Sequence, residues 1–332
     1  MHEYVCETLQ CPACGGALRW SIGECEGDHI ETADVRCANC DAPYSVREGI
    51  GVFLPPDLPR NDLWEQTSTA LGAYLKEHPD VERRLLLAPL DSLSPADRFY
   101  RALALEERGD FAQARAVAEA ALPHLYTPEY LACHESQKRW VMDHIRDRPG
   151  PIVDLASGRG DLVERIAREL RRPVVATDFS LRVLRRDRKA FRAAGLHEHV
   201  SLLAMDARRT PFRDGAVPTM TTNLGLPNIE EPGALLAELR RVVSGEFLAI
   251  THFYPADDEA NVALLRQFGV APLLVRESLV ELMTQAGWRV EVANAQKGRA
   301  LPTPPSELLE GARVDGLPVA ETTLEWCVVR AW

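Results

Sequence analysis

One stretch limits the fold more than any other part of the chain: Ile152 to Asp178, IVDLASGRGDLVERIARELRRPVVATD. It opens on a short apolar run, Ile152 and Val153, ending in Asp154. A turn of small residues follows, Ala156-Ser157-Gly158-Arg159-Gly160. Leu162, Ile166 and Leu170 then recur at helical spacing, and a second apolar run from Pro173 to Ala176 leads to Thr177 and Asp178. This predicts strand, tight turn, helix, strand and acid, half of a nucleotide-binding α/β unit. Glycine at 158 and 160 lets the backbone bend sharply and lets a ligand approach with no Cβ in the way. The first amides of the helix favour a polar or anionic group at the turn. Asp178, 24 residues after Asp154, stands where a ribose diol would donate two hydrogen bonds to it.

The turn does not read G-x-G-x-x-G, which disfavours a dinucleotide. It reads D-x-A-x-G-x-G and resembles motif I of the class I S-adenosylmethionine-dependent methyltransferases, usually acid-x-Gly-x-Gly-x-Gly. Ala156 departs from that form at the first glycine. Further along, Thr210-Pro211-Phe212-Arg213-Asp214-Gly215 resembles the family's PF-x-DG loop, and Ala286-Gly287-Trp288-Arg289-Val290 its late helix-to-strand step. The order of elements is that of a methyltransferase type 11 domain. The resemblance implies an α/β fold, a seven-stranded Rossmann-like class I sheet with helices on both sides. It also implies S-adenosylmethionine as cofactor. The methionine end falls at Asp154, Ala156, Ser157, Gly158 and Gly160; the ribose at Asp178, with Phe179 and Ser180 beside it; the adenine near Asp206 and Ala207; Asn223, which closes the fourth strand, is a further cofactor-binding candidate.

Strands are expected at Val200–Ala204, 216–222, 245–251, 289–293 and 324–331. The last lies antiparallel inside the sheet after a proline-rich excursion from Leu301, which is expected to cover the sheet edge. Helices are expected at 126–146, 180–194, 232–243 and 275–286. His252, at the carboxyl end of a strand, is the best-placed base if the acceptor must lose a proton; its alternative is a plain strand cap. Tyr254 and Asn228 are further candidates for shaping an acceptor pocket. Tyr130 and His134, one turn apart, either line the cofactor pocket or pack. Arg182, Arg185, Arg186 and Lys189 share one helical face, a solvated surface or an RNA-binding ridge.

The first unit, residues 1–56, carries two C-x-x-C knuckles, Cys11/Cys14 and Cys37/Cys40, with 22 residues between them. Four thiolates supply a closed tetrahedral Zn2+ site, structural rather than catalytic. Cys6, Cys25, Cys133 and Cys327 have no partner at ligand spacing. With Leu9 and Gly15-Gly16 before and Tyr44 to Pro55 after, this unit resembles the zinc-ribbon family that activates tRNA and protein methyltransferases. Its first sixty residues hold ten acids against four bases, a balance that repels phosphates. Residues 55–59 read as a linker. Residues 57–125 read as a helical lid region with one tetratricopeptide-like pair, Phe99–Arg108 and Phe111–Leu122, and residues 126–332 as the methyltransferase domain.

A net charge of −11 argues against a nucleic-acid coat protein. No apolar run approaches the roughly 20 residues of a bilayer span and no secretory signal is visible, so a cytoplasmic protein is expected. Three functions stay open: a small-molecule methyltransferase, favoured by the acidity and by the lack of an Asn-Pro-Pro-Tyr sequence; an RNA or translation-factor methyltransferase, favoured by the ribbon; and a non-catalytic scaffold, for which Ala156 is the only hint. A protein partner on the ribbon or the helical pair also stays open.

Overall fold

The glycine turn follows a three-residue strand in the middle of a sheet much wider than expected. The computed structural model describes residues 1–58 and 62–332. The first unit supplies β1 (Leu18–Ile22), β2 (Cys25–Glu26), β3 (His29–Ile30), β4 (Ala33–Cys37), β5 (Pro43–Arg47) and β6 (Ile50–Val52). The remainder supplies β7 (Ile152–Asp154), β8 (Val174–Asp178), β9 (Val200–Ala204), β10 (Val217–Asn223), β11 (Val243–Phe253), β12 (Val290–Ala300) and β13 (Thr322–Ala331). Apart from a small β2–β3 ladder, they form one sheet in the order β1-β4-β5-β6-β9-β8-β7-β10-β11-β13-β12.

The seven strands from β9 to β12 are the expected class I sheet. β7 to β11 run parallel, and β13 lies antiparallel between β11 and β12. β8 and β9 are buried at every residue, as strands covered on both faces must be.

Eleven strands, not seven, make the sheet, because the first unit is fused to it rather than strung before it. β6 pairs parallel to β9, Ile50 opposite Leu202 and Val52 opposite Ala204. Gly51 permits the approach: a Cβ there would stand 2.8 Å from Leu203 Cδ1. The Phe53 amide then donates to the Ala204 carbonyl at 2.9 Å. Nearer the start of the chain, Gln10 N donates to Pro211 O at 2.6 Å and Arg213 N to Thr8 O at 2.9 Å. Leu9, Tyr44, Val46 and Phe53 share one apolar core with Val153, Leu155, Leu203 and Phe212.

The helices are α1 (Leu63–Glu77), α2 (Pro79–Leu87), α3 (Pro95–Glu107), α4 (Phe111–Leu125), α5 (Pro128–Ile145), α6 (Asp161–Arg165, continued by a π turn to Leu170), α7 (Leu181–Ala193), α8 (Pro232–Val242), α9 (Glu259–Gln267), α10 (Ala271–Leu274) and α11 (Arg276–Gln285). The expected pair is α3 and α4, capped by the side chains of Ser94 and Asp110. α5 starts at a Thr127 cap with proline in its first turn and packs against β11, β12 and β13. Among the described residues no helix is long and apolar enough to cross a membrane. The expected linker begins within the described residues, and its last member, Pro59, lies outside them.

Two expectations need correcting. β12 runs on to Ala300, past a register shift between Ala293 and Gln296. Asn294 takes the left-handed turn there at φ 51, and its side chain is held by Ser136 and Gln137 of α5. The proline-rich excursion does not simply cover the sheet edge. It folds onto the helical insert, where Leu308, Leu309 and Val314 join the core of α1–α4. Asp97, 1% exposed, accepts from Ser306 Oγ at 2.5 Å and from Leu308 N at 3.2 Å. Tyr100 donates to the Arg313 carbonyl at 2.9 Å. A buried carboxylate needs such donors, and they come from 209 and 211 residues downstream.

Candidate active site and metal centre

The turn after β7 is strapped to its neighbours by backbone bonds: Leu155 N to Thr221 O and Ser157 N to Thr177 O, both 2.8 Å. Ala156, Gly158 and Gly160 all have positive φ, at 50°, 54° and 71°. At 160 glycine is also required sterically, since a Cβ would stand 2.6 Å from the Phe191 ring. Ala156 therefore holds a left-handed conformation that costs a residue with a Cβ on the order of 1 kcal/mol. Its neighbour across the crevice is Gly225, where a Cβ would come within 2.9 Å of Ala156 Cβ. The alanine in place of the first glycine is thus matched by a glycine opposite. Above Gly158 the space is open: a Cβ there would meet only the Ala156 carbonyl, 4.0 Å away.

Asp154 and Asp178 stand at adjacent strand tips, as expected. Asp154 is buried, accepts a 2.5 Å bond from Thr221 Oγ1, and burial raises its carboxyl to about 7 against that bond. Asp178 accepts from Ser180 N at 2.9 Å on one oxygen and from Gly158 N at 3.0 Å on the other. Burial raises it too, opposed by those amides. Each oxygen keeps a second lone pair for a ligand hydroxyl. Ser180 caps α7, and Phe179 is half-buried beside it.

Asp206 is held by Arg208. The Arg208 amide and Nε donate to one oxygen at 2.9 and 3.0 Å, and Nη2 to the other at 2.8 Å. It shapes the turn that carries the buried Ala207, and Oδ2, bonded once among the described residues, keeps a lone pair.

At the tip of β10, Asn223 Oδ1 lies 2.8 Å from His134 Nε2, which joins α5 to the crevice. From His134 runs a file of rings. His134 stacks on Trp326 at 5.1 Å; Tyr130 meets Trp326 edge-on at 4.8 Å; Tyr126 stacks on Tyr130 at 4.7 Å. The file ends where Tyr126 donates to Asp315 at 2.6 Å. His252 packs on Trp326 at 4.9 Å and on the buried Tyr254 at 5.7 Å. Burial lowers its imidazole to about 4, so it is neutral at pH 7. His252 Nδ1, Trp326 Nε1 and Ser157 Oγ are buried with no hydrogen-bond partner among the described residues, although a buried polar atom ordinarily has one. Asn228 is exposed on a short turn and bonds only weakly, at 3.4 Å, to the Leu224 carbonyl.

Sequence reasoning missed Tyr126, Asp315 and Trp326, and also Arg159 and Glu106. The arginine inside the glycine turn was the one local signal; the rest come from distant segments. The arginine face of α7 is neither a ridge nor a uniformly solvated surface. Arg182 pairs with Glu107 at 2.8 Å, and Arg186 with Asp187 and the Gly158 carbonyl. On another side of α7, Arg188 and Arg192 reach Glu31 of the first unit at 2.8 and 2.7 Å. Arg185 and Lys189 are exposed.

At the far end of the first unit, the thiol sulfurs of Cys11, Cys14, Cys37 and Cys40 all lie within 4.8 Å of one another. Cys14 is 3.4 Å from both Cys37 and Cys40, and Cys11 is 3.7 Å from Cys40. A tetrahedral metal with sulfur at about 2.3 Å sets sulfurs roughly 3.8 Å apart, so the cluster fits one ion. The amides of Asn39 and Cys40 point at the Cys37 sulfur, at 3.3 and 3.5 Å.

The fold, the glycine turn and the paired strand-tip acids resemble those of class I S-adenosylmethionine-dependent methyltransferase domains. Residues 152–245 match the model of the family described as Methyltransferase domain. The chain is similar to the ubiquinone/menaquinone biosynthesis C-methyltransferase of Shewanella halifaxensis, 28% identical over 130 residues, 38% of this chain and 52% of that protein. It is similar also to the demethylmenaquinone methyltransferase of Renibacterium salmoninarum, 33% identical over 118 residues, 35% of this chain and 47% of that one. The chain spans about half the length of these curated relatives. A solved geranyl diphosphate C-methyltransferase from Streptomyces coelicolor A3(2), complexed with Mg2+, geranyl diphosphate and S-adenosyl-L-homocysteine, aligns with 59% of this chain and 78% of its own. Its TM-score is 0.44 and its identity 18%, and at that score the likeness bears no weight.

Proposed function

We propose that this protein transfers a methyl group from S-adenosylmethionine to a carbon of a small, planar, oxygen-bearing acceptor, and that its tetrathiolate holds a structural Zn2+. The observation that carries the cofactor reading is the pair Asp154 and Asp178 flanking an open glycine turn. The bound cofactor supplies a methyl already made electrophilic by its sulfonium, so the protein's task is alignment and exclusion of water. Asp178 holds a diol with its spare lone pairs. Asp154 ionises against the positive charge of the ligand.

The acceptor reading rests on the ring file at the tips of β11 and β13. Aromatic walls favour a flat ring. Unpartnered His252 Nδ1 and Trp326 Nε1 suit a ring oxygen, which activates the neighbouring carbon. A histidine lowered to about 4 is a weak base, so His252 orients such an oxygen rather than stripping a proton. The relatives named for C-methylation in ubiquinone and menaquinone biosynthesis agree with this class of acceptor. RNA is disfavoured, because much of the arginine of α7 is already paired with acids of the same chain.

Calorimetry with S-adenosylmethionine tests the cofactor reading. Asp154 is protonated up to about pH 7 in the free protein and ionised beside a cationic ligand. Affinity therefore rises with pH from 5 to 7, approaching tenfold per unit, and levels off above; D154N abolishes the slope. No heat of binding at pH 8 overturns the reading. Tritiated methyl transfer into fractionated extract tests the acceptor: label in RNA or protein instead of the small-molecule fraction overturns it.

A further inference from the structure

The arginine of the glycine turn has a carboxylate partner that lies outside the methyltransferase sheet. Arg159 sits between Gly158 and Gly160, and its guanidinium is gripped by Glu106, at the carboxyl end of α3. Phe99, on the same helix, lays its ring 5.6 Å from the guanidinium carbon. Arg186, which also donates to the buried Asp187 at 2.9 Å, comes to the same carboxylate from α7. Its Nη1 is 3.8 Å from Glu106 Oε2, while its Nη2 donates to the Gly158 carbonyl at 3.0 Å. The side chains are largely shielded, 12% exposed for Glu106 and 14% for Arg186. Two guanidinium groups, both fixed to the glycine turn, thus converge on one carboxylate supplied by the helical insert.

S-adenosylmethionine brings its own carboxylate to this turn, on the amino-acid end. Planar guanidinium groups bind carboxylates through short charge-assisted bonds, and Glu106 presents the same chemical group from inside the chain. We propose that Arg159 and Arg186 form the subsite for the methionyl carboxylate, and that Glu106 occupies it as an internal stand-in when the cofactor is absent. The inference rests on the cofactor reading given above. It makes the insert a competitor for the glycine turn: arrival of the ligand carboxylate displaces Glu106 and releases the carboxyl end of α3.

The test compares two ligands by calorimetry at pH 8. S-adenosylhomocysteine has the amino-acid end; 5′-methylthioadenosine lacks it. E106Q removes the stand-in's charge and is expected to tighten S-adenosylhomocysteine about tenfold, leaving 5′-methylthioadenosine within about twofold. R159Q, or R159K should R159Q fail to fold by circular dichroism, weakens the first ligand by a similar factor and again spares the second. If the wild type binds both ligands and E106Q shifts neither, or shifts both equally, the carboxylate subsite is wrong while the cofactor reading stands. A wild type that binds neither ligand overturns both.

Discussion

The methyltransferase sheet carries two additions, and they are attached by different physics. The cysteine-bearing unit joins mainly through main chain and apolar core, with the Glu31 pairs to Arg188 and Arg192 at its edge: β6 lies against β9, and Phe53 and Leu9 are buried among Leu203 and Phe212. Among the described residues, the helical insert has a core of its own, shared with residues 308–314. It meets the glycine turn, α6 and α7 through charges, Glu106 to Arg159 and Arg186, Glu107 to Arg182, and Arg115 to Glu164. Backbone ladders and apolar contacts are lost only by unfolding, whereas partly exposed ion pairs are weak and screened by salt. The first addition is built as scaffold and the second as a part that can let go.

Four experiments can break or sharpen that contrast. The largest effect is expected at the four cysteines. If they hold the proposed Zn2+, chelation, or C37S with C40S, removes ligation worth on the order of 10 kcal/mol and loosens β9 and residues 210–213 along with the first unit, read by amide exchange. If exchange in those segments is unchanged, the first unit is an independent bead. Next, F53A empties a fully buried site and costs about 3–5 kcal/mol in a single cooperative melt of ribbon and sheet; two separate melts contradict the shared core.

D97N comes third. It weakens the acceptor of Ser306 Oγ and the Leu308 amide and costs about 1–3 kcal/mol. Faster exchange is expected in α1–α4 and 306–314 and none in β4–β6. The smallest effect is that of 0.5 M salt, worth less than about 1 kcal/mol. It is expected to quicken proteolysis within α1–α4 and leave the ribbon untouched; equal sensitivity of both additions erases the distinction.

What could be read from the sequence was whatever is encoded locally. Ile152–Asp154, Val200–Ala204 and the α3–α4 pair are apolar runs bounded by turn residues, and they stand within a few residues of where pattern alone puts them. The strand-tip acids and the four cysteines are likewise carried by short motifs. Ile50–Val52 is only three residues long, too short for any periodicity, so its pairing with β9, and with it the width of the sheet, was invisible. Asn294 hid the second half of β12, because a left-handed residue interrupts the alternation. Glu106 and Asp315 were unreadable for another reason. Each acquires its role from a residue more than 50 positions away, and nothing in a carboxylate's neighbours along the chain names its partner in space.

The parallel seam at Ile50–Val52 has a practical consequence for dissecting the protein. A fragment cut after the cysteine-bearing unit would leave the outer rim of Leu202–Ala204 with bare amides and carbonyls beside newly wetted Leu203 and Phe212. Such a rim is a template for adding strands from other copies. The excised remainder should therefore self-associate, and insolubility of that fragment would reflect a missing neighbour rather than a misfolded domain.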